Sequence, residues 1–316
     1  MKYTALIAIM VAALVAAGAF IVITNDSDGK RDCDIAVTMG WQKEMVDTIS
    51  QGGLDVAVLM TENTSPHAMY STTSSIEYLH NADLFFEIGS GVEWEESMIS
   101  NVKDAISTPT VSCMDMMPSE HEHEHSHDHE EGHGHNHESH IWVDPENLES
   151  ISKGIADVLR EKFPQVADKI DDGLNDYLNR LSKITDSIED LVMNKAPDQT
   201  IFVWHNAWDP LMEYVNSTAE HLTGTHYCEH HPFMNIESGE SAGAGDSPTV
   251  STIEYMNNHL VNKTIYVSPF DTASQYKSIF EQNGFNVIGI NPTAWDFLEN
   301  LGAFIDHLND TLNDKE

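Results

Sequence analysis

Ile170, Leu174, Tyr177, Leu181, Ile184, Ile188 and Leu191 recur at spacings of three and four within a helical pattern running from 165 to about 194. One apolar stripe along so long a helix is the strongest constraint in the chain. At about 1.5 Å per residue the helix reaches roughly 40 Å, wider than one small domain, so it can bridge two lobes. Both flanks alternate short apolar runs with helical pattern. Before it, strands at 34–39, 55–60, 84–88 and 110–112 alternate with helices at 41–50, 73–81 and 93–101, and a further helix covers 147–162. After it, strands at 200–204, 264–267 and 286–290 alternate with helices at 208–216, 249–259, 272–283 and 294–312. This rhythm predicts βαβ units and parallel sheets covered on both faces. The expected fold class is α/β, with two lobes, each a small parallel sheet flanked by helices, joined by the long helix. The expected domains are an N-terminal signal or membrane anchor with spacer (1–32), an N-terminal α/β lobe (33–163) with a histidine-rich loop (119–139), a linking helix (164–198), and a C-terminal α/β lobe (199–316). The last carries an irregular insertion at 220–248, rich in Gly, Ser, Ala, His and Glu.

Residues 4–24 are apolar and uncharged, with Lys2 before them and Asn25, Asp26, Ser27 and Asp28 after. That length suffices to span a bilayer. Ala17 and Ala19 fit a small-residue cleavage rule, whereas Phe20 to Ile23 prolong the apolar run, so a cleaved signal peptide and an uncleaved anchor both stay open. Either one places the remainder outside the cytoplasm, in the periplasm or at the cell surface. Cys33 invites a lipid anchor, but Lys30, Arg31 and Asp32 stand before it where small apolar residues would be needed. With Cys113 and Cys228 it permits one disulfide in an oxidising compartment, the pairing being open. The chain holds 52 Asp and Glu against 15 Lys and Arg, a net charge of −37. Such a balance repels nucleic acid, attracts divalent cations and keeps a protein soluble at high ionic strength.

Between 121 and 137, His121, His123, His125, His127, His129, His133, His135 and His137 alternate with carboxylates and small residues. No apolar face exists to bury, so a mobile loop is expected. Closely spaced imidazoles on a tether offer several alternative ligand sets for zinc, copper or nickel. Within the insertion, His226, Cys228, His230 and His231 have metal-ligand chemistry at close spacing; an accessory metal site and a plain surface loop are both open there.

Four further positions fall just past predicted strand ends or in loops on that side: His67, His140, His205 and Asp271. In open parallel sheets ligands bind at the carboxyl ends of the strands, so these groups can converge on one cleft. Three of them have a plainer alternative: a loop histidine at 67, a hydrogen-bonded core histidine at 205, a helix cap at Asp271.

The block His140-Ile141-Trp142-Val143-Asp144-Pro145-Glu146-Asn147 resembles the His-x-Trp-x-Asp-Pro-x-Asn signature of the solute-binding proteins of ABC importers for zinc and manganese. Pro66-His67, followed by Thr73, Ser75, Leu79, Ala82, Asp83 and Leu84, is similar to that family's Pro-His block. Val203-Trp204-His205-Asn206-Ala207-Trp208 resembles its strand-ending His-Asp-Ala block, with Asn206 in place of the acid. The likeness extends from 34 to 312. It implies a metal held by His67, His140 and His205 in the cleft between the lobes, with a carboxylate completing the site. Asp271 is the expected carboxylate, although 266–270 lacks the family's usual Glu after the strand, and Glu62 is the other candidate. By the same resemblance, a third histidine and a histidine-rich loop go with zinc. Three imidazoles with one carboxylate or water suit tetrahedral Zn²⁺, whereas manganese prefers more oxygen ligands. Asp144 either orients His140 or starts the next helix through Asp-Pro.

The implied function is capture of Zn²⁺ as cargo and its delivery to an ABC permease driven by a separate ATPase, by a monomer that is not an enzyme. Surface metal sequestration or adhesion without a permease is one alternative, and a manganese rather than a zinc importer component is another. A zinc hydrolase would need an open coordination position and a general base, and outside the histidine tract no His-Glu-x-x-His pair occurs; a nucleotide-dependent metallochaperone would need a Gly-rich Lys-Ser/Thr loop, which is absent.

Overall fold

The computed structural model describes residues 33–65, 72–102, 107–118, 139–227, 231–239, 248–260 and 262–315. The apolar segment 4–24, His67, the histidine tract 121–137, Cys228 and His230 lie outside these residues. Among the described residues no helix is long and apolar enough to cross a membrane.

The first half runs β1 (Ile35–Val37), α1 (Gly40–Ile49), β2 (Val56–Val58), α2 (Thr73–Asn81), β3 (Leu84–Glu87), α3 (Glu93–Val102) and β4 (Thr110–Ser112). Its sheet has the order β2-β1-β3-β4, parallel throughout, with Ile35 opposite both Val56 and Leu84. Every residue of β1 and the first three of β3 are buried, as central strands covered on both faces must be. A 3₁₀ turn (Ile141–Val143) leads to α4 (Pro145–Lys162), and a second one (Pro164–Val166) to α5 (Ala167–Asn194). The second half runs β5 (Gln199–Val203), α6 (Asp209–Thr223), β6 (Met234–Ser238), α7 (Val250–His259), β7 (Thr264–Val267), α8 (Lys277–Gln282), β8 (Asn286–Gly289) and α9 (Phe297–Thr311). Its sheet, β6-β5-β7-β8, repeats the order of the first and is also parallel. Strand order reverses between β1 and β3 in one sheet and between β5 and β7 in the other, and each reversal opens a crevice at the carboxyl ends.

Two stretches differ from the sequence expectation. The region taken as irregular holds the last turn of α6 and the whole of β6, an edge strand whose sequence MNIES alternates too weakly to be recognised. The helix expected at 272–283 is a 3₁₀ segment (Thr272–Tyr276) followed by the short α8.

Helix α5 buries Ile170, Gly173, Tyr177, Leu181, Ile184, Ile188, Leu191 and Val192, the predicted stripe with a glycine added and Leu174 left at its partly buried margin. The glycine marks a close crossing, since a Cβ on Gly173 would stand 2.2 Å from the Ile49 carbonyl oxygen at the end of α1. Further along, the Arg180 guanidinium pairs with Glu44 of α1, and the other Glu44 oxygen accepts from Leu298 N at the start of α9 (3.1 Å). One carboxylate therefore joins elements of both halves to the long helix. Trp142, fully buried, stacks on Trp41 (centroids 6.1 Å, 12°) and donates its indole N–H to the Pro292 carbonyl across the molecule (2.6 Å). From Cys33 onward the chain forms one compact unit, with most of its apolar residues in a single core and a smaller cluster around Phe202, Trp204 and Phe280.

No disulfide joins Cys33 to Cys113. Cys33 contacts the Tyr78 carbonyl (3.9 Å). Cys113 accepts from Gln42 Nε2 (3.4 Å), and burial pushes its thiol up to about 12.

At the Gly173 crossing backbone meets backbone, so neither side can yield by rotating a side chain. Gly173→Ala is expected to destabilise the fold by about 1–3 kcal/mol, read as a lower urea midpoint; an unchanged midpoint would show that α1 and α5 are not locked together there.

Candidate metal centre

His205 stands just past β5. Trp204 still donates to the Tyr266 carbonyl of β7 (2.8 Å) and packs on Phe202 and Phe280, so the backbone leaves the sheet at His205. The turn into α6 is held by Asn206, whose amide donates to Asp209 Oδ2 (2.6 Å). His140, 7% exposed, precedes the 3₁₀ turn of Ile141–Val143, and its carbonyl accepts from Val143 N (3.1 Å). The Ile141 carbonyl is held by Asn147 Nδ2 (3.1 Å). These two imidazoles, separate in sequence, face each other with centroids 5.4 Å apart at 76°. Two imidazoles sharing a tetrahedral ion through bonds of about 2.0–2.1 Å hold their centroids about 5 Å apart, so the pair has the spacing of joint ligands. Aromatic edges surround them: Trp142 lies 5.4 Å from His140 and Phe270 lies 6.2 Å from His205.

Asp271 is buried in the loop after β7, next to Phe270, and its Oδ2 accepts from Ser268 N (2.7 Å). Glu62, exposed, borders a cavity of about 340 Å³ between the two halves, lined also by Asn63, Pro269, Asn291 and Asp296. Asn291 Nδ2 donates to Asn63 Oδ1 across that cavity (3.0 Å). Asp144 caps α4, its Oδ1 accepting from Glu146 N (2.7 Å) ahead of Pro145; burial pushes its carboxyl up to about 6. Among the described residues no three His, Cys, Asp or Glu are grouped to hold a metal, His67 being outside them. In the insertion, His226 Nδ1 lies 3.1 Å from Glu220 Oε1 on the surface and His231 is exposed.

A sequence profile of the family described as ZnuA, zinc-uptake complex component A, periplasmic, matches residues 35–313. The chain belongs to the ZnuA family. It is similar to the manganese-binding lipoprotein MntA of Halalkalibacterium halodurans, 25% identical over 202 residues, and spans 63% of that relative's length with 63% of its own. Its fold is similar to that of a crystal structure of ZnuA, with a TM-score of 0.67 at 18% identity over 89% of this chain and 99% of the other. The periplasmic zinc-binding protein TroA of Treponema pallidum gives 0.65 at 14% identity, again over 89% and 99%. At such identities the likeness establishes the fold, two α/β lobes joined by a long helix.

One residue of this ZnuA-family chain escaped the sequence reading. Glu95, 1% exposed, accepts from Ile88 N (2.8 Å) and Gly89 N (2.9 Å) and from the Thr38 hydroxyl. Glu93, Glu95 and Glu96 together look like the ordinary acidic first turn of a helix. The available signal was that Glu95 precedes Met98 and Ile99 by three and four residues, which puts it on the apolar face.

Burial pushes the Glu95 carboxyl from 4.5 up to about 7, more than its hydrogen bonds lower it. Because the folded value lies above the unfolded one, the folded state holds the proton longer, and stability is lost as pH rises from about 4.5 to 7. The loss is about 3 kcal/mol. Urea midpoints across that range should fall more steeply in the parent chain than in Glu95→Gln; parallel profiles would contradict the burial argument.

Proposed function

We propose that this chain is the extracytoplasmic capture component of an ABC-type importer, taking up Zn²⁺ as cargo in the cleft between its lobes and releasing it to a permease driven by a separate ATPase. The observation that carries the reading is the His140–His205 pair, one imidazole from each half at 5.4 Å. Membership of a family of periplasmic uptake components supports it. In this reading His67 adds the third nitrogen and Asp271, whose Oδ2 accepts from the Ser268 amide, adds the carboxylate. Glu62, on the lip of the cavity, is the alternative carboxylate. Tethering to the membrane, where retained, runs through residues 4–24.

Zinc is favoured by the imidazole-rich donor set, because manganese selects more oxygen ligands in a larger shell. The relative named for manganese makes the choice a direct question. Competition between Zn²⁺ and Mn²⁺ for the full chain is expected to leave zinc in the site at equal concentrations; retention of manganese would reverse the assignment.

Isothermal calorimetry tests the ligands. His140→Ala and His205→Ala should each abolish tight one-to-one zinc binding, and unchanged affinity in either would remove that residue from the site. Deletion of 121–137 should eliminate weaker additional equivalents while the tight one persists. Loss of all binding on that deletion would make the histidine tract itself the principal site.

A further inference from the structure

The first sheet has the strand order of the second, and therefore its own crevice at the carboxyl ends of β1 and β3. A side chain of the protein reaches into it. One oxygen of Glu95 accepts from Ile88 N and the other from Gly89 N, at 2.8 and 2.9 Å, while the Thr38 hydroxyl at the end of β1 also donates to the carboxylate. Hydrogen bonds from N–H groups to a carboxylate in a dry site are among the stronger kinds, so the 88–89 backbone is pinned. Gly89 has φ of +78°, and a Cβ there would stand 2.1 Å from Ser112 Oγ, so the bend suits glycine alone. The next residue, Ser90, is 3% exposed and donates its hydroxyl to the Ser139 carbonyl (2.7 Å). Ser139 is the residue before His140.

We propose that Glu95 and Ser90 are positioning residues for the metal site. The carboxylate fixes the 88–90 loop, and the Ser90 hydroxyl fixes the backbone from which His140 projects. The need is physical: the sequence before Ser139 runs through about twenty polar residues and glycines with no apolar run among them. On its C-terminal side His140 is anchored by Trp142 and its bond to Pro292; on its N-terminal side the Ser90 bond anchors it. Ligand imidazoles must be held within about 0.5 Å of productive geometry, and a strut on only one side leaves a rotation about the other. The proposal rests on His140 being a ligand.

Zinc affinity of the full chain, measured by competition with a chelator of known affinity, tests it in a double-mutant design. Ser90→Ala should weaken the tight site about ten- to a hundredfold, the range found when groups that orient metal ligands are removed. Glu95→Gln, which turns an amide N–H toward a backbone N–H, should weaken it in the same direction. Neither change should lower the weaker residual zinc affinity that is left in a His140→Ala background, where nothing remains to be positioned. Wild-type affinity in Ser90→Ala overturns the strut, and so does an equal loss in both backgrounds, which would mark general damage to the fold. Wild-type affinity in His140→Ala alone overturns the site assignment, and the strut with it.

Discussion

The hydrogen bond from the Trp142 indole to the Pro292 carbonyl ties together what the chain separates by 150 residues. Trp142 is wholly buried against Trp41, and its donor is among the few polar atoms in that contact. Leaving either partner unsatisfied there would cost about 1–3 kcal/mol, so the two halves meet in one register. His140 sits two residues before the tryptophan, and the second half meets it with His205 at a fixed spacing. The separation of the imidazoles thus follows from a packing contact that involves neither ring.

Other contacts hold that register from different directions. Glu44 binds Arg180 of the long helix and the Leu298 amide in the first turn of α9, and Gly173 lets α5 press directly on the end of α1. A Cβ on Gly40 would stand 2.1 Å from Trp295, so the N-terminus of α1 is equally close to the second half. Close-packed interfaces of this kind have few intermediate arrangements. They suit a cargo that is a single ion: a metal site needs distances exact to a few tenths of an ångström, while a large solute needs a jaw that opens. The aromatic edges of Trp142 and Phe270 around the imidazoles limit water near the pair.

Much of this architecture was legible because long apolar periodicities reflect burial directly. The α5 stripe predicted a bridging helix, and β7 lies where 264–267 was read. The strand β6 was hidden because it is a short edge strand in which Asn235 and Glu237 interrupt the continuous apolar run that marks the central strands. His140 and His205 were singled out through local motifs, since each stands at the end of a strand or before a helix start, and their rings lie 5.4 Å apart. Asp144 was read as either a histidine partner or a helix start, and its bond to Glu146 N is that of a cap. Glu95 was not found, because its partners are two backbone amides just past β3 and the Thr38 hydroxyl just past β1, and no spacing in the sequence records them.

Acidity and selectivity operate over different distances. With 52 carboxylates against 15 basic side chains, the surface field reaches about 8–10 Å at physiological ionic strength and concentrates divalent cations without distinguishing among them. The buried carboxyls contribute less to it, because burial pushes Glu95 to about 7 and Asp144 to about 6. Discrimination must therefore arise at bonding distance, from whether the donors are nitrogen or oxygen and from the rigidity with which they are held. In the proposed function the histidines at 121–137 share in the first task by adding nitrogen donors. The second falls, in the proposed site, to an imidazole whose backbone is held from both sides, as that of His140 is by Ser90 and Trp142.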